Sequence, residues 1–155
     1  MFRFCVEKGR TLRLSALYAG IVFLQATSAA AQSSPEGLWK TYDDHTGEPR
    51  ALVRLYREDD ALFGRIEDSF GPGEHEARCE ACTDERKNQP IVGLLIIRNL
   101  KSAKDSFDGG DILDPETGSV YRCTLRLAEG GQTLIVRGYL GISLFGRSQT
   151  WRRAE

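Results

Sequence analysis

The chain has 155 residues, 41% of them hydrophobic and 28% charged, with 21 basic residues against 22 acidic ones. That length and apolar content suit one domain with a sizeable core. The near balance of charge, with its basic residues dispersed, excludes the electrostatic footprint of a nucleic-acid-binding protein.

The sequence opens "MFRFCVEKGRTLRLSALYAGIVFLQATSAAAQSS". Arg3, Lys8, Arg10 and Arg13 precede a short apolar run from Leu14 to Leu24, and Ala29-Ala30-Ala31 follows it. This is the three-part pattern of a secretory signal peptide. The run is shorter than the ~20 apolar residues that span a bilayer, although an uncleaved anchor would share the same physics. Cys5 lies before the apolar run and is not placed as a lipid acceptor. The expected organisation is a signal peptide over residues 1–31 and a single exported domain over 32–155, with the periplasm as destination. No transmembrane segment is expected in that domain. It would carry a net charge of −4 and retain Cys79, Cys82 and Cys123. An oxidising compartment lets cysteines pair, and an odd number leaves at least one unpaired in a monomer.

Short segments separated by turn residues follow in order. "GLWKTYDD" predicts a first strand, ended by "HTGEP". In "RALVRLYRE" the residues Ala51, Val53 and Leu55 alternate with Arg54, Tyr56 and Glu58, the period of two that marks a strand. "EDD" turns the chain and "ALFGRIEDSF" returns. "GPGEHEARCEACTDERKNQP" is polar and lacks either periodicity, which predicts one long loop. "IVGLLIIRNL" is almost continuously apolar and suits a strand covered on both faces, with a buried helix as the alternative that periodicity alone leaves open. "KSAKDSFDGGDILD" holds a turn and then a strand around Asp111 to Leu113, and "PETG" predicts a hairpin turn with Gly118 at positive φ. "SVYRCTLRLA", "TLIVRGYL" and "SLFGRSQTWRR" complete the series. The repeated "LFGR" at 62–65 and 144–147 reads as two similar strands with a glycine bend.

About eight strands joined mostly by tight turns must be antiparallel to their sequence neighbours. The predicted fold is all-β, an antiparallel up-and-down β-barrel that removes exposed sheet edges; a two-sheet sandwich is the alternative.

Several pieces together, "GLWKTYDDHTGEP", "KNQPIVGLLIIRNLK", "GGDILDPETGSVYRCTLRL" and "VRGYLGISLFGRSQTWRR", resemble the exported bacterial proteins of domain-of-unknown-function family 2147. The resemblance runs from Pro35 to Arg153. It implies a lipocalin-like barrel and no particular activity. Gly37-Leu38-Trp39 also looks like the G-x-W of a lipocalin first strand, over whose Trp an arginine near the last strand often packs. Arg147, Arg152 and Arg153 are candidates for that arginine.

Nucleophilic catalysis needs a nucleophile, a base and an orienter in reach of one another. The two histidines, His45 and His75, fall in predicted loops, and no G-x-S-x-G, P-loop or H-E-x-x-H occurs. The acids of "YDDHTGE" and "GGDILD" read as turn chemistry. No catalytic residue and no cofactor is expected. Phe145, Arg147, Gln149 and Trp151 share one face of the last strand, with Arg153. If the aromatic pair points inward, so do the polar residues, and a ligand cavity would have these residues, Trp39 and Tyr121 in its wall. A barrel filled by its own side chains is the plainer expectation.

Cys123 sits on the apolar face of a strand and reads as a buried thiol. The Cys79/Cys82 pair lies among five acids and three bases, surroundings that disfavour a thiolate. Export favours a disulfide, which would contribute about 2 kcal/mol for so short a loop. A zinc set of His75, Cys79 and Cys82 would lack a fourth ligand nearby in sequence. The expected function is a non-catalytic binding or scaffold protein of the bacterial envelope, holding a small apolar or amphipathic ligand. A thiol or metal protein acting through Cys79 and Cys82 is one alternative. A protein–protein interaction module, docking through "IVGLLII", is another.

Overall fold

A computed structural model describes residues 34–71, 73–142 and 146–154. The predicted signal peptide, with Cys5, lies outside them, as does Phe145. Eight strands run in order: β1 Gly37–Tyr42, β2 Pro49–Glu58, β3 Ala61–Ser69, β4 Leu95–Ser102, β5 Phe107–Asp114, β6 Ser119–Ala128, β7 Thr133–Tyr139 and β8 Gly146–Arg153. Each is antiparallel to its sequence neighbours, and β8 returns to β1 to close the barrel. Closure rules out the sandwich.

Directly opposed residues on paired strands share a face, so the register traces the inner wall. Leu55 lies opposite Gly64, Gly64 opposite Ile97, Ile97 opposite Ile112 and Ile112 opposite Tyr121. Gly64 is required here. A Cβ at this position would lie 2.9 Å from both Ile97 Cβ and Leu55 Cδ2, so its neighbours already occupy the space a side chain needs.

The apolar run at 91–100 departs from expectation. Only its second part is strand: β4 begins at Leu95, and Ile91–Leu94 is a turn with Gly93 at φ +93°. The run is not covered on two faces. The β3–β4 pairing shifts register on either side of Gly64, and Asn99 adopts φ +57°. Bulges of this kind rotate successive residues toward the same side. Ile96, Ile97 and Leu100 are all buried as a result, and Ile91 and Leu94 join the same core from the loop. These five side chains face the core and not an outer surface.

The other boundaries move slightly. β1 stops at Tyr42, leaving Asp43 and Asp44 in the turn, and β5 starts earlier than the "DIL" pattern indicates, at Phe107.

One end of the barrel is solid. Trp39, Leu55, Leu62, Ile97, Leu100, Leu125 and Leu134 are each essentially inaccessible. Arg153 lies under this plug, its guanidinium 4.2 Å from the Trp39 ring centre. It donates to the carbonyls of Gly131 (2.7 Å), Glu36 (3.0 Å) and Ser34 (2.8 Å). Trp39 Nε1 donates to Pro35 O at 2.8 Å. Of the three candidate arginines, Arg153 is therefore the one that packs over the tryptophan.

A lysine at 153 keeps the charge but cannot reach three divergent carbonyls in a plane or stack as a guanidinium does. Arg153→Lys is expected to lower unfolding free energy by about 1–3 kcal/mol, measured by urea denaturation; an unchanged midpoint would contradict the role given to this residue.

Candidate functional site: a cavity at the open end of the barrel

Above the plug the barrel opens into a cavity. A cavity of about 1160 Å³ runs from Val53, Ile66, Ile112, Val136 and Trp151 inside the barrel to the loops that follow β1, β3, β5 and β7. Its deep wall is apolar and its mouth polar, as ligand pockets commonly are. Four of the side chains singled out from sequence line it: Tyr121, Arg147, Gln149 and Trp151. Trp39 does not, because it belongs to the closed floor.

The polar residues form a chain of contacts. Trp151 Nε1 donates to Gln149 Oε1 (3.2 Å), Gln149 Nε2 donates to Asp44 Oδ2 (2.9 Å), and Arg147 pairs with the same carboxylate. The position of this chain follows from the strand pairing. β8 pairs with β7 along its whole length, but with β1 only at Trp39–Arg153 and Lys40–Arg152. Beyond Lys40 toward the mouth, side chains bridge the β1–β8 seam, and Asp44 is the residue that receives them. Sequence reading took Asp44 for turn chemistry. No local signal could have found it, since its partners lie 103 and 105 residues away.

Asp43, next to it, does behave as a turn residue. Its carboxylate accepts the backbone N–H groups of Thr46 (2.8 Å) and His45 (2.9 Å), and these bonds hold its pKa down at about 2. Arg50 ties it to Glu116 on the β5–β6 turn.

The long loop folds over one side of the mouth and contributes Ala77, Ala81 and Ile91 to the cavity lining. It is an ordered miniature hairpin. The Cys79 N–H donates to Gln89 O (2.9 Å), the Asn88 N–H to Cys79 O (3.0 Å) and the Ile91 N–H to Ala77 O (2.9 Å). Cys79 and Cys82 are a close pair, with Cα atoms 5.4 Å apart and sulfurs at bonding distance. Both are fully buried. The turn between them sits on the β5–β6 hairpin: Cys79 Sγ contacts Pro115 O at 3.4 Å, and a Cβ on Gly118 (φ +68°) would collide with the Ala81 carbonyl.

The far side of the loop is pinned by Arg86, 2% exposed, which grips Asp84 and donates to Leu95 O at 3.1 Å. Those Arg86 hydrogen bonds hold the Asp84 carboxyl at about 2. Arg98 extends the network to Glu85 (2.6 Å) and Asp111 (3.1 Å).

His75 takes no part in this. Its Nδ1 faces Asp68 at 3.5 Å on the surface. Among the described residues, no three His, Cys, Asp or Glu side chains are grouped to hold a metal ion. Cys123 is buried beside β5. Burial, with a smaller contribution from Asp111, pushes its thiol up to about 12, so it stays protonated.

Residues 37–153 match the bacterial family described as "Uncharacterized protein conserved in bacteria (DUF2147)", and the chain belongs to that family. No curated protein matches the sequence. Among solved structures, the chain is similar to protein HP1028 from Helicobacter pylori, described as a member of the lipocalin family. The TM-score is 0.69 at 15% identity, covering 80% of this chain and 85% of that one. The fold is therefore that of a lipocalin-like barrel. Among the described residues, no helix is long and apolar enough to cross a membrane.

Gly118→Ala is expected to cost at least about 1 kcal/mol from positive φ alone. It should also unseat the loop, speeding tryptic cleavage after Arg78, Arg86 or Lys87 relative to cleavage elsewhere. Asp84 gives a pH test. Its folded pKa, about 2, lies below the ordinary 3.8, so its contact with Arg86 is fully present above about pH 4 and is lost as pH falls toward 2. The Asp84 carboxyl carbon resonance should titrate with a midpoint near 2, and Arg86→Gln should return it toward 3.8.

Proposed function

We infer that this protein is an exported, non-catalytic binding protein of the bacterial envelope, carrying a small apolar or amphipathic ligand in its barrel. The observation that carries this reading is the hollow upper half of the barrel, with apolar walls below and polar groups at the mouth. A barrel meant only to be stable would be filled there, as it is around Trp39.

The committed state of the lining polar groups supports binding over catalysis. Thr41 Oγ1 accepts the Ala51 N–H at 3.1 Å, Ser69 Oγ donates to Glu74 at 3.1 Å, and Asp44 is taken by Arg147 and Gln149. These contacts give the hydroxyls and Asp44 structural roles at the mouth. Export to the periplasm rests on the signal-peptide pattern of residues 1–31. It agrees with a Cys79–Cys82 disulfide, which would serve as a staple seating the loop on the Pro115–Gly118 turn. Full burial of both sulfurs speaks against a thiol-exchange role, because the attacking partner has to reach one of them.

Native mass spectrometry of protein purified from its own host, paired with solvent extraction and lipid analysis, tests the carrier reading. A bound species that leaves on denaturation is expected. If none is found, and Val136→Trp, which fills the cavity, leaves the host's phenotype unchanged, the reading fails.

A further inference from the structure

The charges and rings around the cavity point to one end of its ligand. Among the described residues lining it, six are carboxylates and three are guanidiniums, Arg50, Arg78 and Arg147. The guanidiniums are occupied. Arg50 is held by Asp43 and Glu116, Arg78 donates to the Asn88 carbonyl at 2.9 Å, and Arg147 is paired with Asp44. Two of the carboxylates have uncharged partners that leave their charge in place: Glu74 accepts from the Ser69 hydroxyl, and Asp114 accepts the Glu116 N–H at 3.0 Å. The mouth is therefore negative, and its cations are turned to its own carboxylates and carbonyls.

A second, independent feature agrees. Tyr121 and Trp151, both on the inner face of their strands, line the same cavity. The faces of such rings attract cations, and quaternary ammonium ligands are commonly bound this way. The negative face of an indole or phenol ring repels a carboxylate for the same reason.

Resting on the carrier reading above, we propose that the cavity takes single-chain amphiphiles whose head group is an ammonium, and discriminates against those headed by a carboxylate. The alkyl chain lies along the half-buried Ala51, Ala77 and Ile112, and the cationic head sits beside Tyr121 beneath the acidic mouth. Asp44 sets the selectivity twice over, by adding negative charge and by keeping Arg147 from serving as an anion site.

Isothermal titration of decyltrimethylammonium, decanoate and 1-decanol, all below micelle-forming concentration, tests this with the unmodified protein and with Asp44→Asn. The ammonium compound is expected to bind at least about tenfold more tightly than decanoate, with the gap narrowing as salt screens the mouth. In Asp44→Asn the freed Arg147 should raise decanoate affinity and lower ammonium affinity, closing most of that gap. Glu74→Gln, which alters only the loop side of the mouth, should weaken ammonium binding several-fold; it serves if Asp44→Asn does not fold. Decanol bound without an ammonium preference, or decanoate bound as tightly as the ammonium compound, overturns the head-group proposal and leaves the carrier reading standing. Absence of binding by all three compounds, together with no species bound to the protein from its own host, overturns both.

Discussion

Arg153 joins parts of the chain that are far apart in sequence. Its guanidinium covers the Trp39 ring and reaches the carbonyls of Ser34, Glu36 and Gly131. Its main chain pairs β8 with β1 at one of only two register positions. A planar group with donors pointing several ways can satisfy scattered carbonyls while stacking on an indole, and no other side chain does both. With the floor closed there, the apolar plug of Trp39, Leu55, Leu62, Leu100, Leu125 and Leu134 has somewhere to pack. The opposite end is then free to stay open.

That division of labour organises the rest of the molecule. The three tight connections at the floor leave no room for a ligand, whereas the loops at the mouth are built from polar side-chain contacts. Asp44 bridges the seam where β1 and β8 part. Arg50 links the β1–β2 turn to the β5–β6 turn, and Arg86 with Arg98 ties the long loop to β4 and β5. The exposed pairs among them contribute little to stability singly, and Arg86 is the buried one. Their effect here is to fix the shape and charge of an entrance. The Cys79/Cys82 turn belongs to the same set of devices, since it presses Ala81 onto Gly118 and presents Ala77 and Ile91 to the cavity. The motif that looks most like a reactive centre in the sequence is, in the fold, a buried corner of a loop.

Sequence periodicity carried far in this protein because an up-and-down barrel is assembled from local hairpins. Each strand needs only an inward apolar set at every second residue and a turn at its end, and both are written locally. β2, β6 and β7 were legible to within a residue for that reason. The alternation failed in β4, where bulges at Gly64 and Asn99 bring Ile96, Ile97 and Leu100 to one side; a bulge depends on the partner strand, not on the run itself. In the last strand, alternation placed Arg147, Gln149 and Trp151 on the inner face together. It could not say which of three arginines would reach Trp39, or that Trp39 would lie in the floor and not in the cavity wall.

By itself, then, the amino-acid sequence determined the number of strands, their antiparallel order, the barrel and the position of the one long loop, because turn chemistry and inward alternation act over a few neighbouring residues. Whether the barrel was filled or hollow was decided only by the tertiary structure. That outcome depends on how eight inward-facing sets meet across the axis, and composition does not specify such a sum of side-chain volumes and bulges. The same holds for Asp44, whose partners stand more than a hundred residues away and become neighbours only when β8 closes on β1.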